Sequence, residues 1–207
     1  MRVLITGASR GIGAAMVSEG EARGHTVIGT TRDGDMPLDV TDPAAQARVA
    51  ENTGPLDLLV CNAGVFVDRD KTLETITADD LTTTFAANVT GVLLTVQAQM
   101  RNLSKGGRIA IISSQMGSSQ KANGNAFAYR ASKAAAVNLG LNLAANLQDA
   151  EIAVGIYHPG WVQTDMGGDS AAITPAASAK GLWDRFEGLT LATTGRFETY
   201  DGQPHPI

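Results

Sequence analysis

The chain has a single cysteine, no run of basic residues and no apolar stretch of membrane-spanning length. One cysteine, Cys61, excludes an internal disulfide and fits a reducing compartment. Nothing near it in the sequence supplies a metal partner or an activating base, so it reads as a small buried apolar side chain. No Cys/His cluster has metal-ligand spacing, and no metal is expected. Lys and Arg number 16 against 21 Asp and Glu, a net charge of −5. That balance argues against a nucleic-acid or anionic-membrane surface. A spanning helix needs about 20 apolar residues and none is present, so no membrane partner is expected. The apolar start Val3-Leu4-Ile5 runs straight into a glycine turn and reads as a buried strand rather than a signal peptide, which points to the cytoplasm. There are no internal repeats. At 207 residues the chain is long enough for one core and short for two, so one domain over 1–207 is expected.

Val3-Leu4-Ile5 is the kind of short continuous apolar run found in a parallel strand covered on both faces. It leads into Thr6-Gly7-Ala8-Ser9-Arg10-Gly11-Ile12-Gly13, and Ala14 to Ala22 then read as helix, closed by Gly24. In the order strand, glycine turn, helix, the glycines let backbone amides approach a pyrophosphate at the positive helix N-terminus. Thr26 to Thr31 is the second strand. The residue at its end selects between the two nicotinamide dinucleotides, an acid binding the ribose 2′-hydroxyl and a base the 2′-phosphate. Thr31 is neutral, Arg32 is basic, and Arg10 lies in the glycine turn, which together favour NADP. Asp33 and Asp35 pull the other way and leave NAD possible. Arg32 to Pro37 is too short for a crossover helix, so the helix after the second strand is expected to be shortened or missing.

Leu56 to Cys61 and Gly107 to Ser114 read as further strands, with Ile152 to Tyr157 and a last one at Gly195 to Tyr200. Thr77 caps a helix expected to continue to about Leu103, with Asp80 at its third position. Asn88 interrupts the apolar stripe of that helix, and a buried amide needs partners. Tyr129-Arg130-Ala131-Ser132-Lys133 places a phenol and an ammonium on one helix face, one turn apart. An ammonium near a phenol favours the phenolate and suits it to acid–base work. The fold class expected is α/β: a Rossmann-type, doubly wound parallel sheet between two helical layers. A polar, alanine-rich segment at about 165–187 reads as a flap over the substrate.

These landmarks, in this order, resemble the short-chain dehydrogenase/reductase family: Thr-Gly-x-x-x-Gly-x-Gly at Thr6 to Gly13, Asn62-Ala63-Gly64, Asn88-Val89-Thr90-Gly91, Ser114-Gln115-Met116-Gly117, Tyr129-x-x-x-Lys133 and Pro159-Gly160-x-x-x-Thr164. The short region before Asp39 and the ending Gly-Arg-Phe-Glu-Thr-Tyr-Asp-Gly resemble its small, C-factor-like bacterial group. The resemblance implies a catalytic set of Asn88, Ser114, Tyr129 and Lys133. It implies cofactor contacts from Gly7, Ser9, Arg10, Gly11, Ile12, Gly13, Arg32, Asp39, Val40, Asn62, Ala63, Gly64, Tyr129, Lys133, Pro159, Val162 and Thr164. Ser114 is preferred to Ser113 by the Ser-x-x-Gly match. The chemistry implied is hydride transfer between NADP(H) and a small carbonyl or alcohol. Tyr129 is then the general acid, Lys133 lowers its pKa and binds the ribose, and Asn88 holds a water. Gln115, Met116, Phe127, Trp161, Met166 and Trp183 are candidate pocket residues. A homodimer or homotetramer is expected, and a dinucleotide-binding signalling or sensor protein is the alternative function.

Overall fold

A computed structural model describes residues 1–207. Six strands form one sheet: β1 (Arg2–Thr6), β2 (Thr26–Thr30), β3 (Leu56–Cys61), β4 (Leu103–Ile112), β5 (Ala153–His158) and β6 (Phe197–Thr199). They pair in the order β2-β1-β3-β4-β5-β6, all parallel. The helices are α1 (Gly11–Ala22), α2 (Pro43–Thr53), α3 (Ala78–Phe85), α4 (Gly91–Gln99), α5 (Phe127–Asn146) and α6 (Pro175–Gly188). Successive strand residues point to opposite faces, and here both faces are dry. Leu4, Leu59, Ile109, Ile111 and Val154 face Val49 of α2, Val92 and Val96 of α4 and Ala144 of α5. Val3, Ile5, Leu58, Val60 and Ile112 face Met16 of α1 and Leu182, Trp183 and Phe186 of α6. The result is the expected three-layer, Rossmann-type α/β fold.

The helix after β2 is absent, as the short spacer requires. The strand that would follow it does not form either. Thr31 and Pro37 make one isolated parallel bridge, and Leu38 and Val40 are buried as loop residues instead. The sheet therefore ends at β2.

Three expectations need correction. The helix begun at Thr77 does not run unbroken to Leu103. The capping box is formed, Thr77 Oγ1 accepting from Asp80 N while Thr77 N donates to the Asp80 carboxylate. A π-helical turn at Ala86–Thr90 then separates α3 from α4, which ends at Gln99. β4 starts at Leu103 rather than Gly107, because Leu103 pairs with Leu56 before the register shifts and Gly106 turns the chain at φ +84°. Finally, much of the presumed flap is core. Thr174 caps α6, with Pro175 in its first turn, and the helix packs against α1. Trp183 is therefore not a pocket residue: it is fully buried, with Gly20 leaving room for its ring and its indole N–H donating to Met16 O at 2.8 Å.

Candidate active site

Loops at the carboxyl ends of β1, β3, β4 and β5 gather the expected residues, as an open parallel sheet directs. The glycine turn is tight. Gly7 and Gly11 have φ of +69° and +57°. A Cβ on Gly13 would stand 2.1 Å from Gly7 O and 2.7 Å from Asn62 Nδ2. The N-terminus of α1 has no side-chain cap and no acid in its first turn, so its leading N–H groups are left for an external anion. These features fit a dinucleotide pyrophosphate, which Gly7, Ser9, Gly11, Ile12 and Gly13 would hold. Gly13→Ala is expected to open the turn and weaken NADPH binding by about tenfold or more, roughly 1.4 kcal/mol or above. Fluorescence titration would read this loss, and unchanged affinity would show that the turn does not carry the pyrophosphate.

Asn62 stitches β3 to β1, its Nδ2 donating to Thr6 O at 3.0 Å and Gly7 O at 3.1 Å. Ala63 closes against Gly7, and Gly64 lies against the Asn88 amide and Lys133 Nζ. Asp39 accepts from Thr41 N and Oγ1 at 2.9 and 2.7 Å, which holds its carboxyl below the usual range, and Val40 packs on Gly91. Arg32 is exposed at the rim. Arg10 reaches across the cleft to Asp165, Nη1 to Oδ2 2.9 Å, both side chains largely exposed. On the other wall, Pro159 O accepts from buried Ser178 at 2.6 Å, Val162 is buried, and the Thr164 methyl meets Gly11.

Tyr129, Lys133, Ser114 and Asn88 are all buried. The Asn88 side chain lies in the π turn, where Oδ1 accepts from Val65 N at 2.8 Å. Its Nδ2 donates to Val65 O at 2.9 Å and Ser132 Oγ at 3.0 Å. Ser113 Oγ is spent on Lys133 O at 2.9 Å, whereas Ser114 Oγ accepts from Met116 N at 3.1 Å and keeps its proton to give. That difference supports Ser114. Lys133 Nζ lies 5.6 Å from the Tyr129 ring centroid and donates to Ile112 O at 3.0 Å. Burial pushes the Tyr129 phenol up to about 12, with the Ser114 hydroxyl and the Arg69 charge acting the other way. Burial also brings the Lys133 ammonium down to about 8. The expected lowering of the phenol by Lys133 is thus not what this geometry shows. The ammonium faces a carbonyl, and Ser114 and Arg69 exert the lowering influences.

Three residues of the site were not anticipated. Phe66 stacks on Tyr129 with centroids 4.2 Å apart, and Arg69 sits 5.3 Å over Phe66. Arg69 also donates to the carbonyls of Asp165 and Met166, and Met166 Sδ lies 3.8 Å from Tyr129 Oη. Asp68 caps the start of α5. Their one sequence signal is position, just after Asn62-Ala63-Gly64, since their contacts to Tyr129, Ala128, Asp165 and Met166 are all to distant segments. His158, the last residue of β5, is buried beside His205, and burial pushes its imidazole down to about 4.

An open parallel sheet with an uncapped helix N-terminus beyond its first strand is the architecture of a dinucleotide-binding α/β protein. The chain belongs to the short-chain dehydrogenase family: the family model described as short chain dehydrogenase matches residues 36–173. The C-signal of Myxococcus xanthus is 36% identical over 157 residues, covering 74% of this chain and 94% of that protein. A 1-hydroxy-2-glutathionyl-2-methyl-3-butene dehydrogenase from Rhodococcus is 33% identical over 221 residues, covering 97% and 96%. Among solved structures, the NADPH-bound carbonyl reductase from chicken fatty liver superimposes with a TM-score of 0.90 at 29% identity, over 99% of this chain and 98% of that one. The protein is an NAD(P)-dependent oxidoreductase by this membership.

Proposed function

We propose that the protein interconverts a small carbonyl compound and its alcohol with NADP(H), Tyr129 acting as general acid in reduction and general base in oxidation. The observation carrying this reading is the convergence of Ser114, Tyr129 and Lys133 beside an uncapped, glycine-walled helix N-terminus. NADP is preferred because the exposed Arg32 follows β2 without an acid at position 31, Arg10 lies in the glycine turn, and the chicken carbonyl reductase neighbour holds NADPH.

The nicotinamide, when bound, supplies or takes up the hydride. Ser114 Oγ and Tyr129 Oη donate to the substrate oxygen, and Tyr129 passes its proton to that oxygen as negative charge develops there. Ser114 and the Arg69 charge offset the phenolate so formed, and the Lys133 ammonium would hold the nicotinamide ribose hydroxyls when the cofactor is bound. Proton return runs through water at the π turn around Asn88. Phe66, Met166 and Trp161 give the pocket an apolar wall, and Gln115 and Met116 border it beside Ser114. The working form in this reading is a cytoplasmic homodimer or homotetramer.

Purified protein tested against a panel of ketones, aldehydes and alcohols with NADPH and NADH is expected to turn over at least one carbonyl, faster with NADPH. A preference for NADH abolished by Asp33→Asn would reverse the cofactor assignment. The relative named C-signal favours a second reading, a dinucleotide-binding signalling protein. Tight NADPH binding with no turnover across the panel would select it.

A further inference from the structure

Asp68 is 0% exposed, sits in the connection after β3 and makes no ion pair. A lone buried carboxylate is costly unless its oxygens are satisfied. Both are satisfied by the same element. Oδ2 accepts from Ala128 N at 2.7 Å and Oδ1 from Tyr129 N at 3.2 Å, the leading N–H groups of α5. That helix needs an external acceptor. Its own N-cap residue is Ala126, held at φ 50° with no side-chain cap, and its first turn contains no acid. The carboxylate reaches this helix across 60 residues of sequence and bonds the backbone of the tyrosine itself.

The segment bearing Asp68 is itself anchored around the site. Asn88 clamps Val65 through both its N–H and C=O, Phe66 stacks on the Tyr129 ring, and Arg69 bonds the Asp165 and Met166 carbonyls. Residues 65–69 therefore hold Tyr129 by its ring and by its backbone, and tie it to Asn88. We propose that Asp68 is a positioning residue, fixing the start of α5 so that the Tyr129 hydroxyl is presented to the substrate oxygen at a constant place. This rests on Tyr129 being the proton donor. A misplacement of about 1 Å at a reacting group costs on the order of 10²-fold in rate, so the effect of losing the anchor is measurable.

The test uses Asp68→Ala and Asp68→Asn in the full chain. The amide keeps one acceptor for Ala128 or Tyr129 and turns an NH2 group towards the other donor, so it should act in the same direction but less strongly. The expected result is a fall in kcat of about tenfold or more in Asp68→Ala. The KM for NADPH stays unchanged, and a solvent deuterium isotope effect on kcat appears as proton transfer becomes limiting. Independently of any substrate, the chain labelled at tyrosine Cζ should show the Tyr129 carbon resonance displaced or broadened, with Tyr157 and Tyr200 unmoved. A folded Asp68→Ala protein with a lower Tm but unchanged kcat, isotope effect and Tyr129 resonance would reduce Asp68 to a helix cap and overturn the proposal. If Asp68→Ala does not fold, Asp68→Asn decides on the same readouts. Should the wild type turn over no carbonyl, the proposed function fails while the resonance still decides the positioning.

Discussion

Tyr129→Phe is expected to fold and bind NADPH like the wild type and to lose about 10²- to 10⁴-fold in kcat, the usual worth of a positioned general acid. The substitution removes one oxygen and little else. The ring keeps its stack on Phe66, and the helix keeps both Asp68 contacts, which are to backbone. Its hydrogen bond to the Met166 sulfur is long, at 3.8 Å, and its remaining partner is the Ser114 hydroxyl of the site itself. A hydroxyl that contributes so little to packing, in a site dry enough to hold its pKa near 12, is poorly explained as structure. Retained melting temperature and cofactor affinity with lost turnover would assign it to proton transfer. Wild-type turnover in the variant would remove Tyr129 from the chemistry.

Lys133→Met is expected to abolish useful turnover and yet to stabilise the fold. Burial lowers the Lys133 ammonium from its ordinary 10.5 to about 8, a penalty on the charged form of about 3 kcal/mol. The native pKa lies below the unfolded one, so the penalty is fully present below about pH 8. It is relieved as pH rises from there to 10.5. Methionine carries no charge and has a similar stem, but leaves Ile112 O without its donor, which returns about 1–3 kcal/mol. The net gain at pH 7 is about 1 kcal/mol, a rise of roughly 2–4 °C in Tm for a chain of this size. The gain should fade in alkaline solution. In the wild type, kcat for reduction should fall as pH passes about 8 and the ammonium is lost. Thermal melts of both proteins from pH 6 to 10 check the first point, and a pH–rate profile the second. A Lys133→Met protein less stable than wild type at neutral pH would mean that the lysine is a structural contributor rather than a cost borne for the site.

Local, short-range rules make much of this fold legible in the sequence. Val3-Leu4-Ile5 and Leu58-Leu59-Val60 are buried strands because parallel strands are covered on both faces, and the Thr77–Asp80 box forms as its spacing requires. The glycine turn and the Tyr129–Lys133 spacing pointed to one end of the sheet, and the missing crossover helix followed from counting residues between Arg32 and Pro37. Legibility failed where a residue's partner is far along the chain. Trp183 looked like a flap residue amid alanine and glycine, but Gly20 on α1 makes the space that buries it. Asn88 was visible as a polar break in an apolar stripe, although the π turn around it was not. Phe66, Asp68 and Arg69 carry no local signature, since stacking, capping across 60 residues and a clasp on Met166 exist only after folding. The sequence offers Arg10 as a candidate phosphate ligand, and its pairing with Asp165 across the cleft is not legible there.

The most direct test of the hydride-transfer site is the fate of a label. With NADPH carrying deuterium at the transferable position of the nicotinamide ring, and a carbonyl from the panel as acceptor, the product alcohol is analysed by mass spectrometry and NMR. The wild type should give one deuterium per molecule at the carbinol carbon, and Tyr129→Phe negligible product. An unlabelled carbinol carbon, or equal labelled product from the two proteins, would contradict the proposed site.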